Sequence, residues 1–176
     1  MEGDAVWYEA AMVTGITNAL NVVADGLGSE GAATLLEPVA EAGTPGEVTR
    51  LFGEIRGFYG GQPVPLPFRF AAHDPGYAAD LWGAARRAFS DNRLSRRLKE
   101  SLAFAVSLTT RSTFGTPFHL GEMRRLGVSP RGIMEVLGVA QMFSSYTKIA
   151  DTLQLEPDMG DIAPVDPSPA PGGSTP

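Results

Sequence analysis

The chain of 176 residues carries 14 basic and 20 acidic side chains, a net charge of -6, and contains no cysteine. That balance excludes a nucleic-acid binder, because neutralising phosphates needs clustered Lys and Arg. The missing cysteine excludes disulfides, iron–sulfur clusters and thiolate metal sites. With 43% hydrophobic and 19% charged residues, the length suits one domain with a sizeable core, and its partners are expected to be small molecules or other proteins. The opening residues Met1-Glu2-Gly3-Asp4 are acidic where a signal peptide is basic, and no apolar run reaches membrane-spanning length. The expectation is a cytoplasmic protein with no membrane partner.

From Asp4 to about Gly26, the apolar residues Val13, Ile16, Leu20 and Val23 recur at spacings of three and four, which predicts an amphipathic helix. Thr44-Pro45-Gly46-Glu47 reads as a capping box with Pro at the first helical position, followed by the stripe Val48, Leu51, Phe52, Ile55 and Phe58 and a stop at Gly60-Gly61. Pro63, Pro65 and Pro67 lack the amide protons of a helix interior, so Gln62 to Pro67 is expected to be a rigid extended connector. Asp74-Pro75 opens a helix through Tyr77, Leu81, Trp82 and Phe89, closed by Ser90-Asp91-Asn92. Ser95 starts another, through Leu98, Leu102, Ala105, Val106 and Leu108.

Pro117 stands at the start of a helix through Leu120, Met123 and Leu126 that stops at Gly127, and Ser129-Pro130 opens the next, an αα-hairpin pattern. The last helix carries Ile133, Leu137, Ala140 and Phe143 or Ser144, then Ile149 and Leu153, and ends before Pro157. Residues 157–176 form a low-complexity tail of Asp, Ala, Pro, Ser and Gly, excluded from the fold. No strand-like alternation, internal repeat or glycine-rich phosphate loop stands out. The fold class is all-α, with one domain over 1–156: N-terminal helices in 1–43 and a core in 44–156.

The segments Leu98 to Ser107, Ser112-Thr-Phe-Gly115-Thr-Pro-Phe-His119 and Leu126-Gly-Val-Ser129 together resemble the alkylhydroperoxidase AhpD and carboxymuconolactone decarboxylase superfamily. Leu51 to Arg56, Pro67 to Pro75 and Phe143 to Asp151 are similar to its lead-in and final helix, so the resemblance covers roughly residues 45–155. It implies an AhpD-like helical bundle with antiparallel hairpins that self-associates into dimers, trimers or hexamers. The family pattern is a Glu, a Cys-x-x-Cys and a His four residues after the second Cys. Here Glu100 and His119 match, while Ser112 and Gly115 occupy the two cysteine positions.

A serine cannot cycle through sulfenic acid or a disulfide, and glycine has no side chain, so peroxidase chemistry by the family route is excluded. The decarboxylase branch implies acid–base work on a small apolar or carboxylated metabolite, of a lyase, isomerase or cyclase type, and needs no cofactor. Glu100 and His119 could carry it, with His119 moving the proton and Glu100 orienting the ring. The pair could equally be a packed histidine satisfied by a buried carboxylate. Arg111 and Ser112 could hold a substrate carboxylate, or Arg111 could complement the helix dipole. Trp82, Phe118 and Tyr146, with Phe114 and Met142, could line an apolar pocket or belong to the core.

His73 reads as a residue of the cap region. Two histidines without cysteines leave no zinc signature, and no metal is expected. Lys148 stands where relatives show Arg. Two functions stay open: a cofactor-independent acid–base enzyme on a small-molecule substrate, and a scaffold that has lost its catalysis and acts as a ligand-binding or structural oligomeric subunit. The first requires an open cavity at His119, and the second a closed one.

Overall fold

The computed structural model describes residues 2–28 and 36–156, and among these every regular element is an α-helix. They are α1 (Glu2–Leu27), α2 (Gly46–Phe58), α3 (Leu66–Ala71), α4 (Pro75–Phe89), α5 (Arg96–Thr110), α6 (Gly115–Arg125) and α7 (Pro130–Leu153). The proposed tail at 157–176 lies outside the described residues.

Three helix starts follow the expected chemistry. The side chains of Asp74, Ser95 and Ser129 accept hydrogen bonds from the amides of Tyr77, Leu98 and Gly132, each satisfying a donor that the first helical turn leaves without a partner. At α2 the expectation fails. Pro45 precedes the helix and supplies no side-chain cap, while the Thr44 hydroxyl bonds to the Thr49 hydroxyl instead of closing a box with Glu47. The connector is also shorter than expected: α3 begins at Leu66, with Pro67 in its first turn, where the missing amide proton costs nothing.

The core gathers α1, α2, α3 and α4 around Leu20, Val48, Phe52, Ile55, Tyr59, Phe68 and Trp82. Ring edges meet ring faces there: Trp82 lies 5.3 Å from Phe58 and 5.6 Å from Phe68, both near perpendicular. A second cluster of Val13, Ala88, Phe89 and Ala103 joins α1, α4 and α5. Helix α5 is central, packing against α1, α6 and α7. After the turn at Gly127, whose φ of 79° suits glycine, α7 lies along α5, and none of its residues is buried.

Candidate functional site

Helices α5 and α6 bring Glu100 and His119 together. The Nδ1 atom of His119 lies 2.8 Å from Glu100 Oε2, and the two side chains are 2% and 0% exposed. The rings of Phe89 and His119 stack at 5.8 Å, and Phe118 meets the imidazole edge-on at 5.1 Å. His119 Nε2 makes no hydrogen bond among the described residues.

Two cations and a second carboxylate extend the pair, and none of them was singled out in the sequence. Arg96 Nη2 donates to Glu122 Oε2 at 2.9 Å and Arg96 Nη1 to the Phe58 carbonyl at 2.7 Å. Its Nε stands 3.6 Å from Glu100 Oε1, close enough for Coulomb attraction and too long for a hydrogen bond. Both of those atoms are buried without a hydrogen-bond partner. Arg96 also lies 3.8 Å above the Phe58 ring. Arg125 grips Glu122 with Nε and Nη2, and that carboxylate raises the guanidinium's already high pKa. Burial, with the charge of Glu100 beside it, pushes the Tyr59 hydroxyl well above its usual pKa. Arg96 follows the cap residue Ser95 by one and Glu100 precedes Glu122 by more than a helix length, so only the fold joins them.

Asn21 closes the other side. A side chain at position 115 would collide with Asn21 Oδ1 and come within 2.5 Å of Ser107 Oγ. The Asn21 amide donates to that same Ser107 hydroxyl at 3.0 Å. Asn21 Oδ1 and Thr17 Oγ1, one turn apart on α1, are buried without partners. Ser112 is buried, and its hydroxyl accepts from the Gly115 amide at 2.7 Å, so it fastens the start of α6.

Of the other expected site residues, Phe118 meets the imidazole of the pair, whereas Arg111, Trp82 and Tyr146 do not converge on it. Arg111 is exposed, closing α5 at a left-handed φ of 58°. Trp82 is a core residue with its indole N–H unpartnered. Phe118 is partly buried and stacks on Phe114 at 5.2 Å. Tyr146, Met142 and Lys148 lie exposed on α7. His73 is exposed and bonds the Glu37 carbonyl at 2.8 Å. Among the described residues no three His, Asp or Glu side chains are placed to hold a metal ion, and no helix is long and apolar enough to cross a membrane.

Residues 75–155 match the Carboxymuconolactone decarboxylase family, CMD. The AhpD-like fold is seen directly in the crystal structure of the alkylhydroperoxidase AhpD core from Rhodospirillum rubrum ATCC 11170, which is similar at a TM-score of 0.67 and 22% identity, over 72% of this chain and 96% of that one. No curated protein matches the chain. Glu100, Ser112, Gly115 and His119 all fall inside the matched residues. Asn21 and Thr17, which close the site, come from α1, outside it.

Proposed function

We propose that this chain works as a non-redox AhpD-like subunit in which Glu100 and His119 fasten α5 to α6, and in which the apolar face of α7 joins it to further copies of itself. The closure of the pair carries the reading. Both side chains are buried, Phe89 and Phe118 cover the imidazole, and Asn21 stands where a side chain at 115 would lie. The His119 side chain is only 2% exposed, and proton transfer needs a substrate within hydrogen-bond reach of it. On α7, Met134, Val139, Met142, Phe143, Tyr146, Ile149 and Leu153 are exposed. Apolar surface so concentrated on one helix marks an interaction face. A groove of about 500 Å³ between α5 and α7, lined by Leu102, Val106, Val139 and Phe143, continues that face.

Sedimentation of wild type and of a Val139→Glu/Phe143→Glu variant tests the assembly. The wild type is expected to be oligomeric and the variant monomeric with unchanged helicity; a monomeric wild type at every concentration sinks the reading.

One observation favours the acid–base enzyme as a second reading: the free Nε2 of His119. A cleft of about 470 Å³ is lined by Phe118, the residue before His119 in α6, together with Pro117, Glu122 and Arg125. A metabolite screen separates the readings. Turnover by wild type that is lost in folded Glu100→Gln establishes the enzyme on a small apolar or carboxylated substrate, with no cofactor required.

A further inference from the structure

A second concave site lies where the first half of α1 crosses the end of α4 and the loop into α5. It encloses about 210 Å³ and is lined by Tyr8, Glu9, Met12, Arg87, Ala88, Asn92, Arg93 and Lys99, with Ala5 at its edge. In a chain of net charge -6, this site brings three cationic side chains together against one carboxylate.

That carboxylate is already used. Glu9 accepts from the amides of Arg93 at 3.2 Å and Leu94 at 3.0 Å, and from Lys99 Nζ at 3.2 Å, with Arg93 Nη1 3.8 Å away. Lys99, 1% exposed, also donates to the Ser90 carbonyl at 2.7 Å, which leaves one of its three protons unspent. Arg87 is exposed and makes no hydrogen bond or ion pair among the described residues. The Asn92 side-chain amide and the Tyr8 hydroxyl likewise make no hydrogen bond among the described residues, the Asn92 backbone N–H being spent on the Leu94 carbonyl. Every free polar group on the wall can therefore donate, from both arginines, a lysine, an amide and a phenol. Ala5, Met12 and Ala88 supply an apolar floor.

We propose that this pocket binds a phosphoryl dianion, either as free phosphate or as the head of a small phosphomonoester. A tetrahedral dianion offers acceptors in several directions and takes charge-assisted bonds from guanidinium and ammonium groups at once, which a single carboxylate cannot do. The volume is below the roughly 300–1,000 Å³ of drug-sized sites, so the head enters and any larger organic part lies against Tyr8 at the rim. The site is independent of the Glu100–His119 pair: neighbouring positions on α5 turn Lys99 toward α1 and Glu100 toward α6.

Calorimetric and ³¹P NMR titration of the full chain with inorganic phosphate and with phenyl phosphate tests the proposal. Saturable one-to-one binding is expected, weakened at least about tenfold in Arg87→Gln and in Arg93→Gln, weakened by added salt, and unchanged in Arg111→Gln. Equal affinity for the two probes assigns free phosphate, and a tenfold preference for phenyl phosphate assigns a monoester. Absence of saturable binding, binding indifferent to Arg87→Gln, or equal binding of neutral benzyl alcohol overturns it. Arg87 is exposed, so its replacement leaves the fold intact, and far-UV circular dichroism of each variant checks that.

Discussion

Replacing Gly115 by alanine should destabilise the protein, although at the start of a helix this substitution ordinarily stabilises by about 0.5–1 kcal/mol. The added methyl would overlap Asn21 Oδ1 and lie 2.8 Å from Asn21 Cγ and 2.5 Å from Ser107 Oγ. Neither neighbour can yield cheaply. Asn21 is 2% exposed and Ser107 fully buried, and the hydrogen bond between them would break if either turned away. Overpacking of this kind costs about 1–3 kcal/mol, which outweighs the conformational gain. Urea denaturation should show a lower midpoint at unchanged slope. In Gly115→Ala/Asn21→Ala most of the penalty should disappear relative to Asn21→Ala alone, a coupling between residues in contact. A Gly115→Ala protein as stable as wild type would refute the claim that α1 occupies this space. Ser112→Cys/Gly115→Cys should then form a disulfide readily only when Asn21 is also replaced by alanine.

His119→Ala leaves Glu100 Oε2 as well as Oε1 unpartnered and opens a void between Phe89 and Phe118, so a loss of about 3 kcal/mol or more is expected by urea denaturation. Glu100→Gln keeps an acceptor for the imidazole and should cost less. The Leu94 amide, foremost among its partners, holds the Glu9 carboxyl below the usual carboxylate pKa. A depressed folded-state pKa contributes stability that is present above the unfolded pKa and lost as pH falls through the folded value. The stability difference between wild type and Glu9→Gln should therefore be largest near neutrality and shrink under acid, and a difference independent of pH would contradict this.

Most helices were legible because their signals are local. Asp74, Ser95 and Ser129 each cap the helix that follows, and the stripe of Val48, Phe52 and Ile55 is buried. Two local rules misled. The Thr44 to Glu47 spacing fits a capping box, yet the Thr44 hydroxyl finds Thr49. Three prolines suggested an extended run, yet Pro67 falls where a first turn tolerates it. At the site, the resemblance to the AhpD and carboxymuconolactone decarboxylase superfamily that Glu100 and His119 help carry implied the contact that the fold makes. Arg96, Glu122 and Asn21 were invisible, because a charge on a helix face and a polar residue in an apolar stripe acquire meaning only from what packs against them. Asn21 is 86 residues from Ser107, and no periodicity links them. Arg111 and Tyr146 failed to converge for the converse reason: a plausible side chain at a helix end or on a last helix says nothing about the direction it faces.

The chain has two histidines, and they sit in opposite environments, which makes one measurement decisive for the central claim. His73 is exposed, and His119 is closed behind Phe89, Phe118 and Glu100. Under native conditions, diethylpyrocarbonate should modify His73 promptly, followed by peptide mass spectrometry, and leave His119 unmodified until denaturant unfolds the protein. Modification of His119 at a rate comparable to His73 in the folded protein would show an open, reachable imidazole and would contradict the account.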